Sequence, residues 1–293
     1  MAFQKQYLSF GMVAFVDLLG YSDRVRALET PEELIALETQ VLRVQKWFQH
    51  KPTEELEKQE HKLAAKTVLA FSDCVVVSVP FHSTLAKFQG DFDVMMAEVS
   101  SLGMAQGQCA VNGIFVRGGA DFGMWYRRGA TLISPAMVNA YHLEGAVCVP
   151  MIGLTDEFYQ HLAQHKHRSF YSKDIDPLRL IRRFEKLPNG SSQWLIDYVP
   201  LCLESVDGAL SAEEKVEYRD AGPERRDEIM NTAFARDCKD WARWHADEIK
   251  KGFAGSDVAS VKAKYEWLAQ YHDDALGRFF SAPPPEALIG SLA

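Results

Sequence analysis

Met12-Val13-Ala14-Phe15-Val16 runs without a polar break into Asp17, and Leu18-Leu19-Gly20-Tyr21-Ser22 follows. Five consecutive apolar residues ended by a glycine turn read as a buried strand. An unpaired carboxylate at the end of such a strand is costly. Asp17 therefore needs a cation nearby, and any fold of this chain has to supply one.

The rest of the chain can be arranged around that strand. Thr30-Pro31-Glu32-Glu33 is a capping residue, a proline in the first helical position and a glutamate at the capping-box position, so a helix starts there. Leu34, Leu37, Val41, Val44 and Phe48 give it one apolar stripe. The charged stretch 51–62 reads as a solvated connection. Thr67 to Phe71 and Cys74 to Pro80 form a hairpin through Ser72-Asp73, which brings a second carboxylate to a strand end. Phe88, Phe92, Met95, Val99 and Leu102 make a second helical stripe. Arg117 then sits among glycines in Phe115-Val116-Arg117-Gly118-Gly119-Ala120-Asp121-Phe122-Gly123, where glycine marks close approach of a ligand or another backbone. Ser134-Pro135 opens a helix through Glu144, Val147 to Ile152 reads as a strand, and a last hairpin turns at Pro188-Asn189-Gly190. This order predicts an α+β fold, a mainly antiparallel sheet with helices on one face. Residues 1–205 form that domain, and 206–293, rich in charge and aromatics, form a helical extension packed on it or on a partner subunit. Pro283-Pro284-Pro285 ends regular structure, with a frayed terminus after it.

Composition removes several function classes. With 293 residues, 47% of them hydrophobic, the chain can bury a large core. A formal net charge of -8 opposes non-specific binding to nucleic acid or to an anionic membrane. No apolar run approaches a membrane span and no leader pattern opens the chain, so a cytoplasmic location is expected. The five cysteines are odd in number and widely spaced, which suits reduced core thiols.

Four segments carry a family resemblance. Phe15-Val16-Asp17-Leu18-Leu19-Gly20-Tyr21-Ser22 resembles the first metal motif of the class III nucleotidyl cyclases, F-x-D-I-x-G-F-T, and Ser72-Asp73 resembles the second, G-D. Arg117-Gly118-Gly119-Ala120-Asp121-Phe122-Gly123 resembles the R-x-G-I-H-x-G strand. Ser134-Pro135-Ala136 with Leu143-Glu144 resembles the G-P-A…L-E helix. The resemblance spans residues 10 to 150. It implies a class III cyclase-like fold in which two divalent ions, Mn²⁺ or else Mg²⁺, sit between Asp17, Asp73 and a nucleoside triphosphate, with Leu18 lending a carbonyl. Ions about 3.5–4 Å apart activate the ribose hydroxyl and stabilise the leaving oxygen. It further implies that Leu19, Gly20 and Tyr21 offer backbone N–H groups to phosphate, that Arg117 holds the triphosphate, and that Phe15 contacts the nucleotide.

Two positions depart from the purine cyclases. Where those enzymes read the base with a lysine and an acidic residue, this chain has Leu69 and Thr131, which cannot make the same contacts. The family's transition-state asparagine and arginine align with Val138 and His142. Asn139 stands next to the first, leaving Asn139 and His142 as candidates for that role. Ala140-Tyr141-His142-Leu143-Glu144 and the tail Lys264-Tyr265-Glu266-Trp267-Leu268…Tyr271-His272 resemble the bacterial pyrimidine cyclases of the Pycsar antiphage systems. That resemblance implies cyclic UMP or cyclic CMP as product, manganese as the preferred ion, and a homodimer with active sites shared between subunits.

Other readings stand beside these. The purine cyclase and the inactive, nucleotide-binding sensor keep the fold. Asp17 alone could be a turn residue and Arg117 an ion-pair partner within the sheet. Single-stranded RNA binding would require a basic face that the composition lacks. His161, His165 and His167 have a metal-like look, with two imidazoles four apart, but no nearby carboxylate or cysteine completes a site, so they read as a solvated surface. Arg127-Arg128 and Arg182-Arg183 read by default as exposed arginines, with phosphate contact from a partner subunit as the alternative, and the tail aromatics read as core or dimer contacts.

Overall fold

The protein is represented by a computed structural model, which describes residues 8–49, 63–129 and 131–292; the connection at 51–62 lies outside them. The chain divides into two compact units. One comprises Met1–Ala110 and Ile114–Tyr198, the other Val111–Gly113 and Val199–Ala293.

The first unit is built on an eight-stranded sheet. Its strands are β1 (Leu8–Leu18), β2 (Thr67–Phe71), β3 (Cys74–Pro80), β4 (Val116–Arg128), β5 (Thr131–Ile133), β6 (Ile152–Leu154), β7 (Ile181–Phe184) and β8 (Gln193–Ile196). They lie in the order β2-β3-β1-β4-β6-β8-β7, with β5 paired to β4. Every pairing is antiparallel except β4 with β6. The apolar run that opens the chain is thus a central strand, hydrogen-bonded on both sides.

The helices of this unit are α1 (Tyr21–Arg26), α2 (Pro31–Gln49), α3 (Thr84–Gln89), α4 (Asp91–Ala110), α5 (Pro135–Ala146) and α6 (Asp156–Ala163). The capping box predicted before α2 forms: the Glu33 N–H donates to Thr30 Oγ1 and the Thr30 N–H to Glu33 Oε2. Leu37, Val44 and Phe48 are buried, whereas Leu34 is exposed. Ser134 caps α5 by accepting the Met137 N–H, with Pro135 in the first turn.

The helices cover both faces of the sheet, not one as expected. Successive strand residues alternate in direction, so Val13, Phe15 and Asp17 share a face with Val76 and Cys74 of β3 and with Arg117, Gly119 and Asp121 of β4. Helix α5 lies on that face. On the other, Phe122 meets Phe158 of α6, with ring centroids 5.6 Å apart. The helical stripe read from Phe88 to Leu102 also breaks in two. Gly90 adopts φ +98 between α3 and α4, leaving Phe88 82% exposed. The strand expected over 147–152 begins only at Ile152.

The second unit is helical, with α7 (Tyr198–Glu204) at its boundary, then α8 (Ala212–Asp220), α9 (Pro223–Ala254) and α10 (Ala259–Phe279). At its centre His245 and His272 face one another through their Nδ1 atoms at 2.8 Å, fully buried. His272 Nε2 lies 2.9 Å from the Ala287 carbonyl, so it is the donor there and His272 Nδ1 accepts from His245. Burial lowers the pKa of both, which keeps the pair neutral. The terminus expected to fray is tied down instead. The Ile289 and Gly290 N–H groups donate to the Asp273 carboxylate at 2.9 and 2.8 Å, and Ala287 is buried.

A Cβ added at Gly119 would lie 2.2 Å from the Ala140 carbonyl oxygen of α5 and 2.9 Å from Leu143 Cβ. Gly119→Ala should therefore lower unfolding stability by about 1–3 kcal/mol through overpacking. The measurement is a fall in the urea midpoint at constant slope; an unchanged midpoint would mean that α5 yields freely.

Candidate functional site

Register places the candidate groups. Cys74, Asp17 and Arg117 are direct partners across three adjacent strands, so their side chains form one row on the α5 face. Asp73 stands next to Cys74 in the two-residue turn between β2 and β3. Ser72 in that turn has φ +51, a left-handed conformation that costs an L-residue about 1–2 kcal/mol. Gln45 of α2 secures the turn by donating to the Ser72 carbonyl at 3.0 Å.

The ligand atoms of Asp17, Asp73 and Cys74 lie within 4.8 Å of one another. The Cys74 thiol donates to Asp17 Oδ1 at 3.3 Å. Burial pushes Asp17 up to about 6; the thiol hydrogen bond opposes this, and the charges of Asp73 and Glu144 add to it. Among the described residues no lysine or arginine pairs with Asp17 or Asp73. Arg117, the nearest cation by register, pairs with Glu144 of α5 instead, and the Glu144 side chain is only 6% exposed. Two neighbouring carboxylates with no basic partner, one of them held up by burial, form a site of the kind a divalent cation relieves. Oxygen donors of this kind suit Mg²⁺ or Mn²⁺.

The remaining sequence candidates fall into place unevenly. Leu18 is buried and Tyr21 begins α1. The Leu19 N–H already donates to the Phe115 carbonyl at 2.9 Å, which narrows the proposed phosphate cradle to Gly20, in φ +75, and Tyr21. Phe15 is 8% exposed and meets Tyr141 edge-on at 5.3 Å. It belongs to a cluster with Val13, Val76, Trp125, Ala136 and Ala140, against which Leu69 packs. Thr131 is exposed at the start of β5, and its neighbour Leu132 is the residue that joins this cluster. Asn139 donates through Nδ2 to Asp121 at 2.9 Å, and Asp121 also accepts from Thr155 Oγ1 at 2.6 Å. His142 is exposed beside Tyr141.

Cys74 and Glu144 were not expected at the site; Asp121, which Asn139 and Thr155 contact, lies four strand positions along from Arg117. The signal for Cys74 was its place in the strand opposite Asp17; nothing local marked Thr155. All five cysteines are free thiols, three of them buried. No helix among the described residues is long and apolar enough to cross a membrane.

No protein-family model matches the sequence, and no curated protein matches it. Among solved structures, the adenylyl cyclase CyaB from P. aeruginosa is similar at 19% identity and a TM-score of 0.40, covering 64% of this chain and 94% of that one. A bacterial light-regulated adenylyl cyclase is similar at 14% identity and a TM-score of 0.36, covering 65% of this chain and 91% of that one. The guanylate cyclase domain of RhGC from Catenaria anguillulae is similar at 14% identity and a TM-score of 0.33, covering 64% of this chain and 96% of that one.

The raised Asp17 gives a pH signature. Folded Asp17 ionises near 6 and the unfolded residue near 3.8. Between those values the folded state holds the proton more tightly, so stability falls as pH rises through the window and levels off above it. In chelator, Asp17→Asn should match the parent near pH 4 and exceed it at pH 7.5, by about 1 kcal/mol once solvent screening of a half-exposed carboxylate is allowed for. Urea unfolding at the two pH values measures the difference, and an equal difference at both would remove Asp17 as its source.

Proposed function

We propose that the chain is a nucleotidyl cyclase that converts a pyrimidine ribonucleoside triphosphate, UTP before CTP, into its 3′,5′-cyclic monophosphate and pyrophosphate. The observation that carries the reading is the pairing of Asp17 and Asp73 within ligand distance, without a basic partner among the described residues, in the row that contains Arg117. Two divalent ions held there would acidify the ribose hydroxyl and stabilise the leaving oxygen.

The chain's own residues would divide the work as follows. Asp17 and Asp73 hold the cations and thereby the triphosphate. Arg117, oriented by Glu144, supplies a fixed guanidinium to phosphate oxygens. The ribose 3′ oxygen then bonds to the α-phosphorus, the bond to the β-phosphate oxygen breaks, and pyrophosphate leaves with that electron pair while the hydroxyl proton passes to solvent. Leu69 presents a hydrocarbon wall beside Phe15, with neither donor nor acceptor for a purine edge. This supports a single-ring base. The resemblance to the Pycsar cyclases adds a homodimer with shared sites, manganese as the ion, and a product that serves as an alarm signal in antiphage defence.

A second reading is a cyclase-like sensor that binds the triphosphate without turning it over. It is favoured by Asn139, whose amide is committed to Asp121 rather than directed at the carboxylate pair. Incubation with each of the four ribonucleoside triphosphates and Mn²⁺ separates the readings. We expect cyclic UMP to dominate, and Asp73→Ala to reduce it by about a hundred- to a thousandfold, the scale on which removing a transition-state charge stabiliser acts. Cyclisation of ATP or GTP alone would replace the pyrimidine assignment, and metal-dependent binding without product would favour the sensor.

A further inference from the structure

Residues His161 to His167 read from the sequence as a solvated surface for want of a carboxylate, and the fold supplies one from 70 residues upstream. Gly90 turns the chain with φ +98 so that Asp91, the first residue of α4, comes beside the histidines. The approach is close: a Cβ at Gly90 would lie 2.9 Å from His167 Nδ1. Asp91 Oδ1 is 3.3 Å from His165 Nε2 and 3.6 Å from His167 Nδ1, and the three ligand atoms all lie within 4.8 Å of one another. The His165 side chain is only 8% exposed.

These separations distinguish two explanations. As N–H···O hydrogen bonds they are long, since such bonds run at about 2.7–3.2 Å. As two edges of a coordination tetrahedron they fit, and the third, between the two imidazoles, is at most 4.8 Å. With Zn–N and Zn–O bonds of about 2.0–2.2 Å, neighbouring donor atoms stand roughly 3.3–3.6 Å apart. We propose that Asp91, His165 and His167 form a zinc-type divalent metal site, separate from the carboxylate pair at Asp17, with its fourth position open to solvent or an external donor.

The surroundings agree with that assignment. A cleft of about 480 Å³ opens beside the cluster, lined by His82, Lys87, Asp93 and Phe170 together with Asp91 and His167. Asp93 lies outside the group of ligand atoms that stand within 4.8 Å of one another, and its Oδ1 accepts the Tyr171 hydroxyl at 2.6 Å. Three protein ligands with an accessible fourth position are the arrangement of zinc sites that exchange a ligand, as opposed to closed structural ones. His161 meets His165 edge-on at 5.6 Å, and its Nε2 is buried without a hydrogen-bond partner among the described residues. A buried imidazole nitrogen in that state calls for water or an ion nearby. One contact must be given up. His165 Nδ1 now accepts the His167 N–H at 3.3 Å. Metal binding through Nε2 moves the imidazole proton to Nδ1 and exchanges this long contact for a coordinate bond. The site would fasten the start of α4 to the turn that carries residues 165–170.

The test uses Co²⁺, whose visible absorption reports tetrahedral nitrogen and oxygen ligation, on the full chain stripped with chelator and held in excess Mg²⁺. One equivalent should bind with a visible band that Zn²⁺ abolishes, and the band should persist in the Asp17→Asn/Asp73→Asn variant. His167→Gln should lose the band or weaken binding at least about tenfold. Asp91→Asn, nearly isosteric at a helix start, does the same while circular dichroism stays unchanged, which covers a folding failure of the histidine variant. Absence of a tetrahedral band in the parent, or a band that survives Asp91→Asn and disappears in the Asp17→Asn/Asp73→Asn variant, overturns the proposal.

Discussion

The approach of α5 to β4 sets the geometry on which the candidate site depends. At Gly119 the helix carbonyl of Ala140 occupies the place a side chain would need, and at Gly123 an added Cβ would meet Ala136 at 3.4 Å. Gly119 is the point at which the strand must lack a side chain for the helix to sit so low; at Gly123 a Cβ would make an ordinary contact. Because it does, Glu144 reaches Arg117 and Asn139 reaches Asp121 from the same helix. Phe15 is closed over from above by Tyr141. Gly119 thus acts through packing, and its chemical effect is to fix the direction of a guanidinium two residues away.

The charges within the row are unequally matched. Arg117 has a nearly buried partner in Glu144, while Asp17 and Asp73 have each other and a thiol. A like-charged pair of this kind, one carboxylate on a strand and the other in the neighbouring turn, is unfavourable at roughly 4 kcal/mol for a 4 Å separation at an effective dielectric near 20. Burial adds to that by resisting the ionised form of Asp17. The Cys74 thiol offsets part of the cost by hydrogen bonding, and burial together with Asp17 raises its own pKa. Proteins tolerate such local expense where a site is assembled and the remaining core is well packed. Here that core includes Met12, Val13, Ala14 and Val16 of β1, each at most 1% exposed.

Much of this was legible in the residues, for identifiable reasons. The central strand, the hairpin at Ser72-Asp73, the capping box at Thr30 and the Ser134-Pro135 helix start are local patterns, and each has a local physical cause. The break at Gly90 was hidden because Phe88 and Phe92 keep helical spacing across it, although a glycine lies between them. The second helix layer could not be read from element order, which says that helices alternate with strands and not which face each takes. Asp91 beside His165 and His167, and Thr155 beside Asp121, are products of topology alone, joining residues 74 and 34 positions apart. The terminal segment was misjudged because three prolines signal an end to regular structure. They do not forbid the backbone beyond them from donating to Asp273.

The hydrogen bond from Gln45 to the Ser72 carbonyl makes the two carboxylates mechanically inequivalent. Asp17 rides on a strand bonded along both edges, so it shares the stiffness of the whole sheet. Asp73 rides on a two-residue turn held from the side by a helix. Helix α2 thus meets the turn of Asp73 through Gln45, while the strand of Asp17 is held by its two neighbours in the sheet. One carboxylate of the pair is therefore positioned by the sheet and the other by a turn, with support from a helix that contributes no ligand of its own.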